Sequence, residues 1–264
     1  MRGFSGDSAY RFGDVFIKET NGNPKRLLHQ AHKQMKYCSR LDIPGFAVPR
    51  VTAKWKNGFA MEYINGKSLV DIMIKEPEML PWIADKILEL IDWEFNNSVN
   101  RPFRFKKLVN KLSPSCPREL QDYIIAQAKR MRWKWIPYGL NHGDLTGANM
   151  LFKGDTIYLI DFLQTFLRTP YQDIAKLLQE IDFHWAALMS DYASPAKELK
   201  FGYDYLNHRI QEHLRKKYST HKQAIRVFHF MCLCRLFPYC EKNGEIYDMV
   251  RYRCLELIDN EDNF

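Results

Sequence analysis

The chain has 264 residues, of which 46% are hydrophobic and 27% charged, and its 39 Lys and Arg against 31 Asp and Glu leave a formal charge of +8. This length and apolar content suffice for one large domain or two lobes around a cleft, which excludes a mainly disordered chain. No apolar run approaches the roughly 18 residues that span a bilayer, which excludes an integral membrane protein.

The N-terminal part of the chain is predicted to form strands around one helix. Val15-Phe16-Ile17 is a short apolar segment that ends at Lys18 and is typical of a strand. A helix is predicted to begin near Pro24, which suits a first helical turn, and its apolar periodicity stops at residues 42–45. Two further strands are predicted at residues 48–51 and 58–63.

The remainder is predicted to be mostly helical, because apolar residues recur there at helical spacing. One short strand is predicted within it, at residues 157–160. The predicted helices cover residues 81–95, 118–133, 171–189, 195–217, 222–235 and 245–258.

The cysteines are predicted to be free and buried. They are sparse, and the first residues lack the apolar stretch of a secretory signal, which also favours a cytoplasmic location. Cys232 and Cys234 lie in an apolar, helix-like run without a second pair of ligands at zinc spacing. This favours core positions over a metal site.

Residues 101–135 form a basic stretch, with ten basic residues against two acidic ones. Its interleaved aromatic residues are Phe103, Phe105, Trp133 and Trp135. Such a stretch can bind a polyanion, an anionic sugar or a membrane surface, so peripheral membrane contact stays open. The favoured alternative is a solvated helical face whose aromatic side chains point inward, because no nucleic-acid-binding motif accompanies it.

One segment has the residue spacing of phosphotransferase chemistry. Asp144 is followed five residues later by Asn149, and an apolar strand then ends in Asp161. Phosphoryl transfer needs Mg²⁺, which amide and carboxylate oxygens can bind, and a further carboxylate must accept or orient the acceptor's hydroxyl proton. Gly143 and Gly147 allow the tight backbone that brings Asp144 and Asn149 to one cavity.

These residues, His142-Gly143-Asp144-Leu145 with Asn149 and Ile160-Asp161-Phe162, resemble the aminoglycoside phosphotransferase and choline kinase branch of the protein-kinase-like fold. The resemblance implies an α+β, bilobal fold with ATP, or GTP, and Mg²⁺ as cofactors. Residues 1–64 would form a small β-rich N-lobe with a reduced first strand, and residues 65–264 a larger, mostly helical C-lobe.

The resemblance also implies roles for single residues. Asp144 would be the catalytic base, Asn149 and Asp161 would bind Mg²⁺, and His142 would be mainly structural. Asp173 resembles the aspartate that braces the family's catalytic loop, although a favourable position in the helix dipole is the alternative.

The nucleotide site is implied by the same resemblance. Lys18 matches the strand lysine that contacts the nucleotide phosphates. In the segment between the lobes, the Glu62 carbonyl and the Ile64 N–H would bond adenine, while Met61 would line the pocket. The alternative for Lys18 without this context is a solvated charge.

Two departures from the family pattern weaken the implied nucleotide site. The phosphate-covering loop must come from residues 3–8, with the backbone around Gly6 and Ser8 cradling phosphate oxygens, and it begins almost at Met1. The helix after Pro24 has no acidic residue to pair with the strand lysine. Gln30 occupies the expected position, with His29 the next choice, and an amide would hold Lys18 less firmly.

The acceptor is expected to be a neutral or anionic small molecule with a hydroxyl group, because a basic chain is a poor partner for polycations. Sugar or polyol units of cell-envelope polysaccharide are the leading class, by analogy with kinases of this fold that act on capsule or lipopolysaccharide. Residues that could line the acceptor pocket, or equally be surface and core residues, are Arg168, Lys176, His184 and Trp185.

Other functions stay open from the sequence. These are a catalytically degenerate nucleotide-binding protein, a kinase of the aminoglycoside or choline type, and a basic binding module that uses residues 101–135. Protein kinase activity is disfavoured, because few residues separate Asp161 from the next predicted helix at Tyr171.

Overall fold

The structure is a computed structural model, and it describes residues 7–112, 114–131, 133–163, 165, 167–188, 197–240 and 244–259. Gly6, predicted in the phosphate-covering loop, lies outside these residues. Helices and small sheets alternate along the described chain, and none of the helices there is long and apolar enough to cross a membrane.

The described strands are, in chain order, β1 (Ser8–Phe12), β2 (Val15–Glu19), β3 (Phe46–Ala47), β4 (Val51–Trp55), β5 (Gly58–Glu62), β6 (Lys67–Ser68), β7 (Val99–Arg104), β8 (Trp133–Tyr138), β9 (Met150–Lys153) and β10 (Thr156–Leu159). The described helices are α1 (Pro24–Cys38), α2 (Leu69–Lys75), α3 (Leu80–Asn96), α4 (Lys106–Val109), α5 (Arg118–Met131), α6 (Pro170–Phe183), α7 (Trp185–Leu188), α8 (Lys197–Lys217), α9 (Lys222–Cys234), α10 (Phe237–Cys240) and α11 (Gly244–Asp259).

The N-terminal sheet has the strand order β1-β2-β5-β4, with all neighbours antiparallel. Ser8, predicted in the phosphate-covering loop, instead begins β1 and pairs with Glu19. Helix α1 begins at Pro24, as predicted, and ends at Cys38, before residues 42–45, and the Asn23 side chain caps it by accepting the N–H of Lys25. A small apolar cluster joins α1 to this sheet: Leu27, Ala31, Phe59 and Met61.

A second sheet, with the order β3-β10-β9-β6, supports the segment between β8 and β9. Strands β10 and β9 form an antiparallel hairpin, and β3 pairs with β10 in parallel, from Ile157 opposite Phe46. The hairpin places residue 149 beside the end of β10, because the N–H of Ile160 donates to the Asn149 carbonyl at 3.0 Å. The order of strands thus brings Asn149, which precedes β9, close to Asp161, which follows β10.

Helices enclose the larger apolar core. Tyr171 of α6 packs edge to face on Phe228 of α9, with ring centroids 5.6 Å apart, and Phe95 of α3 stacks on Tyr218. Cys232 and Cys234 are buried in α9, at core positions as predicted. The core fixes α6, and α6 in turn positions the predicted catalytic segment.

The basic stretch is not one helical face. Strands β7 and β8 pair antiparallel at its two ends, with Arg101 opposite Ile136, so the predicted helical face is wrong there. Phe103 is buried as expected for an inward aromatic residue, whereas Trp135 is 69% exposed. Local periodicity cannot detect pairing between strands as far apart in the sequence as β7 and β8, which is why the sequence predicted a helical face here.

Two other boundaries differ from the predicted ones, and several short elements were not predicted. The helix predicted at 171–189 is interrupted at His184, whose backbone has a left-handed φ of 49° and separates α6 from α7. Helix α5 ends at Met131, before the predicted residue 133. The short elements α2, α4, α10 and β9 were not predicted, because tertiary contacts rather than long periodic patterns stabilise them.

Candidate active site

The segment of residues 141–149 is held by the first turn of α6. The Asp173 carboxylate accepts the backbone N–H of Gly143 at 2.6 Å and also that of His142. Asp173 is fully buried, and these donors replace the water that a buried carboxylate would otherwise need. Asp173 therefore fixes the backbone immediately before Asp144.

A second buried carboxylate of α6 holds the other end of this segment. Glu180 accepts the N–H of Gly147 at 2.9 Å, the N–H of Ala186 at 2.8 Å and the Tyr203 hydroxyl at 2.7 Å. Glu180 lies two helical turns after Asp173, so the two carboxylates share one face of α6. Motif reasoning missed Glu180, although its seven-residue spacing from Asp173 is a signal that could have found it.

The His142 ring is buried between this segment and the end of β10. Its Nε2 bonds the Ile160 carbonyl at 2.7 Å, and its Nδ1 accepts the backbone N–H of Asp144 at 3.3 Å. A neutral ring with its proton on Nε2 satisfies both contacts. Burial lowers the pKa of His142, which keeps the ring neutral. The ring thus ties Asp144 to the residue before Asp161.

The Asp144 carboxylate lies between an ammonium and an amide. Lys176 Nζ is 3.0 Å from Asp144 Oδ1, and Asn149 Nδ2 donates to Oδ2 at 3.1 Å and to the Asp144 carbonyl at 2.8 Å. Burial by itself would raise the pKa of Asp144, but the charge and hydrogen bond of Lys176, together with His142 and the Asn149 amide, outweigh burial and lower the pKa. The carboxylate is therefore ionised at neutral pH, and 24% of the side chain is exposed to a ligand.

Asp161 forms an ion pair with Lys18 of β2. Its φ of 60° is unusual for a residue other than glycine, and such backbone strain is common at functional sites. Burial lowers the pKa of Lys18 to about 8.

Gln30 is buried on α1, but no hydrogen bond joins it to Lys18 among the described residues. The expectation that the Gln30 amide bonds Lys18 is therefore wrong. The Asp161 carboxylate pairs with Lys18 instead, because a carboxylate is a stronger partner than an amide for a buried ammonium.

Helix α1 reaches the same segment through Lys33, which the sequence analysis missed. Lys33 Nζ donates to the Leu163 carbonyl. A Cβ at Gly143, whose φ is +94°, would lie 2.6 Å from Lys33 Nζ and 2.5 Å from the Leu163 carbonyl oxygen. Glycine is therefore required here. Burial lowers the pKa of Lys33 to about 8. A lysine on an amphipathic helix otherwise indicates a solvated charge, so the sequence held no signal for this contact.

A buried acid of α3 lies next to Asp173. Glu94 is 1% exposed and accepts the Tyr37 hydroxyl at 3.0 Å. Burial and the neighbouring Asp173 carboxylate raise the pKa of Glu94. Its position four residues after Leu90, on the buried face of α3, is a signal that sequence reasoning could have used.

The predicted adenine-binding segment comprises the last two residues of β5 and the residues directly after it. Met61 is buried, and its Sδ lies 3.2 Å from Gln34 Nε2. The Glu62 side chain is turned to Arg50, whose Nε donates to it at 2.8 Å. Ile64 lies beyond the end of β5, and its backbone N–H makes no hydrogen bond among the described residues. That N–H is therefore available to a ligand.

The residues predicted to line the acceptor pocket have different surroundings. Lys176 contacts Asp144, as described above. Arg168 is exposed, Trp185 packs partly buried on the main core, and His184 stacks on Tyr203 beside a cavity of about 250 Å³. Within the described chain, no hydrogen bond or ion pair joins these three to Asp144.

A sequence model of the phosphotransferase enzyme family matches residues 5–205. The chain belongs to this phosphotransferase enzyme family. The match covers the segment 141–149, β10 and α6, and it confirms the predicted family and its phosphotransferase class. No curated protein matches the chain.

Solved structures with a similar fold include two aminoglycoside phosphotransferases. APH(4)-Ia, in a ternary complex with AMP-PNP and hygromycin B, has a TM-score of 0.61 at 12% identity, over 99% of this phosphotransferase and 96% of its own chain. APH(2")-IIa, in complex with gentamicin, has a TM-score of 0.58 at 13% identity, over 94% and 87%.

A third similar structure is a choline/ethanolamine kinase family protein from Mesorhizobium loti. Its TM-score is 0.59 at 12% identity, over 96% of this phosphotransferase and 85% of its own chain. At such identities the likeness shows the fold alone. The predicted α+β, protein-kinase-like fold is confirmed.

Proposed function

We propose that this phosphotransferase moves the γ-phosphoryl group of ATP to a hydroxyl of a small molecule, with Asp144 as catalytic base. The observation that carries the proposal is the ionised, partly exposed Asp144, held between Lys176 and Asn149 on a backbone tied to Asp173. The acceptor oxygen bonds to the γ-phosphorus, ADP leaves with the electron pair of the broken bond, and the hydroxyl proton passes to Asp144.

Asn149 and Asp161 are the proposed Mg²⁺ ligands. The Asn149 amide nitrogen is engaged with Asp144, which leaves its carbonyl oxygen for a cation. Among the described residues no group of three or more His, Cys, Asp or Glu could hold a metal. Two protein oxygen ligands, from Asn149 and Asp161, suit Mg²⁺, because nucleotide phosphates usually complete the coordination of this ion. When bound, the ion would offset phosphate charge.

The nucleotide is proposed to lie between β5 and Asp161. Lys18, already paired with Asp161 next to the proposed metal ligands, would contact the phosphates. The free N–H of Ile64 and the carbonyl of Glu62 would bond adenine, and Met61 would line the pocket. Residues 1–64 and 65–264 would then form two lobes around the nucleotide.

The proposed acceptor is a neutral or anionic sugar or polyol of cell-envelope polysaccharide, phosphorylated in the cytoplasm. The net charge of +8 and the basic stretch support this class over polycations. A kinase of the aminoglycoside or choline type is the alternative, and it rests on the names of proteins with the same fold.

Thermal unfolding with and without MgATP tests the nucleotide and metal site. A ligand at about 100 times its dissociation constant should stabilise the wild type by about 2.7 kcal/mol. Asp161→Asn should reduce this ligand-dependent shift, whereas Asp155→Asn, in the exposed turn between β9 and β10, should keep it. No shift with either MgATP or MgGTP would contradict the proposed nucleotide site, whereas a shift without turnover on any acceptor would favour the catalytically degenerate, nucleotide-binding alternative.

Turnover tests the catalytic base. Asp144→Asn should keep the MgATP shift, because the nucleotide contacts remain, and should lower phosphoryl transfer to a panel of sugars by about 100-fold or more. Asp155→Asn is the matched control with unchanged turnover. Wild-type turnover in Asp144→Asn would show that Asp144 is not the base.

A further inference from the structure

A cavity of about 290 Å³ lies between β7, β8 and α4. Buried apolar side chains line its inner part, among them Phe103, Leu108 and Ile136. Exposed cations line its edge, namely Arg101, Lys107 and Lys111. None of the described residues that line this cavity is acidic.

Among the described residues, no carboxylate neutralises the charges at this edge. No ion pair joins Arg101, Lys107 or Lys111 to an acidic side chain in the part of the chain that the structure describes. Elsewhere on the surface such pairs do form, for example Lys75 with Asp71 at 2.9 Å. Converging charges over an apolar wall produce a strong local positive potential, which attracts anions.

Two guanidinium groups share one aromatic ring at the cavity. The Arg101 and Arg168 guanidinium carbons lie 4.6 Å and 5.3 Å from the centroid of the Tyr138 ring. Such cation–π contacts restrict the arginine side chains before any ligand binds. A guanidinium with a restricted orientation is suited to phosphate or carboxylate, which it can bind with two parallel hydrogen bonds.

Two walls of the cavity are connected along the chain to the segments of the candidate active site. Tyr138 ends β8 four residues before His142, and the next residue, Gly139, donates its N–H to the Arg168 carbonyl at 3.1 Å. Leu167, which also lines the cavity, belongs to the segment between Asp161 and α6. Both backbone segments that carry the proposed catalytic groups therefore continue into this cavity.

The shape of the site favours a small anion over a macromolecule. A volume of about 290 Å³ is at the lower end of small-molecule pockets, which suits a ligand of the size of one sugar. Trp135, the exposed aromatic residue that an extended polyanion or a membrane could contact, does not line the cavity. The apolar inner wall can contact the ring of a sugar, and the cations at the edge can bind a charged substituent on that ring.

The geometry points to this cavity as a binding site for an anionic sugar, whose phosphate or carboxylate is held by Arg101, Lys107 and Lys111. This assignment rests on the proposed function, since it makes the cavity the part of the acceptor site that selects charge. It narrows the acceptor from a neutral or anionic molecule to an anionic one.

Isothermal titration calorimetry with glucose 6-phosphate, glucuronate, inorganic phosphate and glucose tests the assignment. Wild type should bind at least one of the anionic probes at millimolar concentration and glucose much more weakly. The double variant Lys107→Gln with Lys111→Gln should bind that probe about tenfold or more weakly. The matched control is Lys106→Gln with Lys129→Gln, exposed residues of the same basic stretch that do not line the cavity, and it should keep wild-type affinity.

Each other result overturns the assignment. Equal losses in the two double variants would show a diffuse charge effect, and equal binding of glucose and glucose 6-phosphate would show no selection for charge. Binding to phosphatidylglycerol vesicles without binding of the soluble probes would indicate a membrane surface. Thermal stabilisation by MgATP, measured on the same samples, tests the proposed function separately. If the wild type binds the anionic probe but is not stabilised by MgATP, the kinase proposal is contradicted and the anion site is not.

Discussion

The catalytic segment of residues 141–149 and the hairpin of β1 and β2 differ in how their polar groups are satisfied. The catalytic segment is tied by Asp173 and Glu180, both buried. In the hairpin, β1 is largely exposed and β2 is half-buried, and the bond from the Tyr10 hydroxyl to Glu19 at 3.0 Å faces water. Water can replace a lost partner at the exposed contact of the hairpin but not at the buried contacts of the catalytic segment. Removing one polar group should therefore lower the free energy of unfolding much more in the catalytic segment than in the hairpin.

The largest effect is expected from Asp173→Ala. Without this carboxylate, the N–H groups of His142 and Gly143 lose their buried acceptor, so the free energy of unfolding should fall by about 3 kcal/mol and turnover should be lost. Urea denaturation and a phosphoryl-transfer assay measure both. Asp155→Ala, an exposed aspartate, is the control and should stay within about 0.5 kcal/mol of wild type. A similar small change for Asp173→Ala would mean that the carboxylate does not hold the segment.

A matched pair of tyrosines isolates the effect of burial. The Tyr37 hydroxyl donates to Glu94 at 3.0 Å in the core, and the Tyr10 hydroxyl donates to Glu19 at the same distance on the surface. Tyr37→Phe should lower the free energy of unfolding by about 2 kcal/mol, because Glu94 loses a buried partner, and Tyr10→Phe should leave it nearly unchanged. Equal effects in urea denaturation would contradict the comparison.

A smaller effect is expected from the partly buried Lys33. Burial lowers its pKa from 10.5 to about 8, so between these values the unfolded state binds more protons and stability rises with pH. From pH 7 to 9 the wild type should gain about 1 kcal/mol relative to Lys33→Gln. Urea denaturation of both proteins at the two pH values measures the difference. The same pH dependence in both would show that Lys33 is not buried in the folded state.

Local patterns in the sequence were enough for α1 and for the spacing of the proposed catalytic residues. Pro24 and the helical periodicity after it indicated the existence and the start of α1, since both act within one element. The offsets among Asp144, Asn149 and Asp161 reflect one loop and one hairpin, which the chain connects directly. The family match agrees with these local features.

The sequence by itself therefore determined the family, the α+β class and the proposed catalytic groups. Tertiary structure alone decided their partners: Lys18 pairs with Asp161 instead of Gln30, Lys33 crosses to Leu163, and the ends of the basic stretch pair as β7 and β8. Which groups meet across a fold depends on packing between distant segments, and burial then sets the pKa of each lysine. Neither effect leaves a local pattern that periodicity or motif spacing can detect.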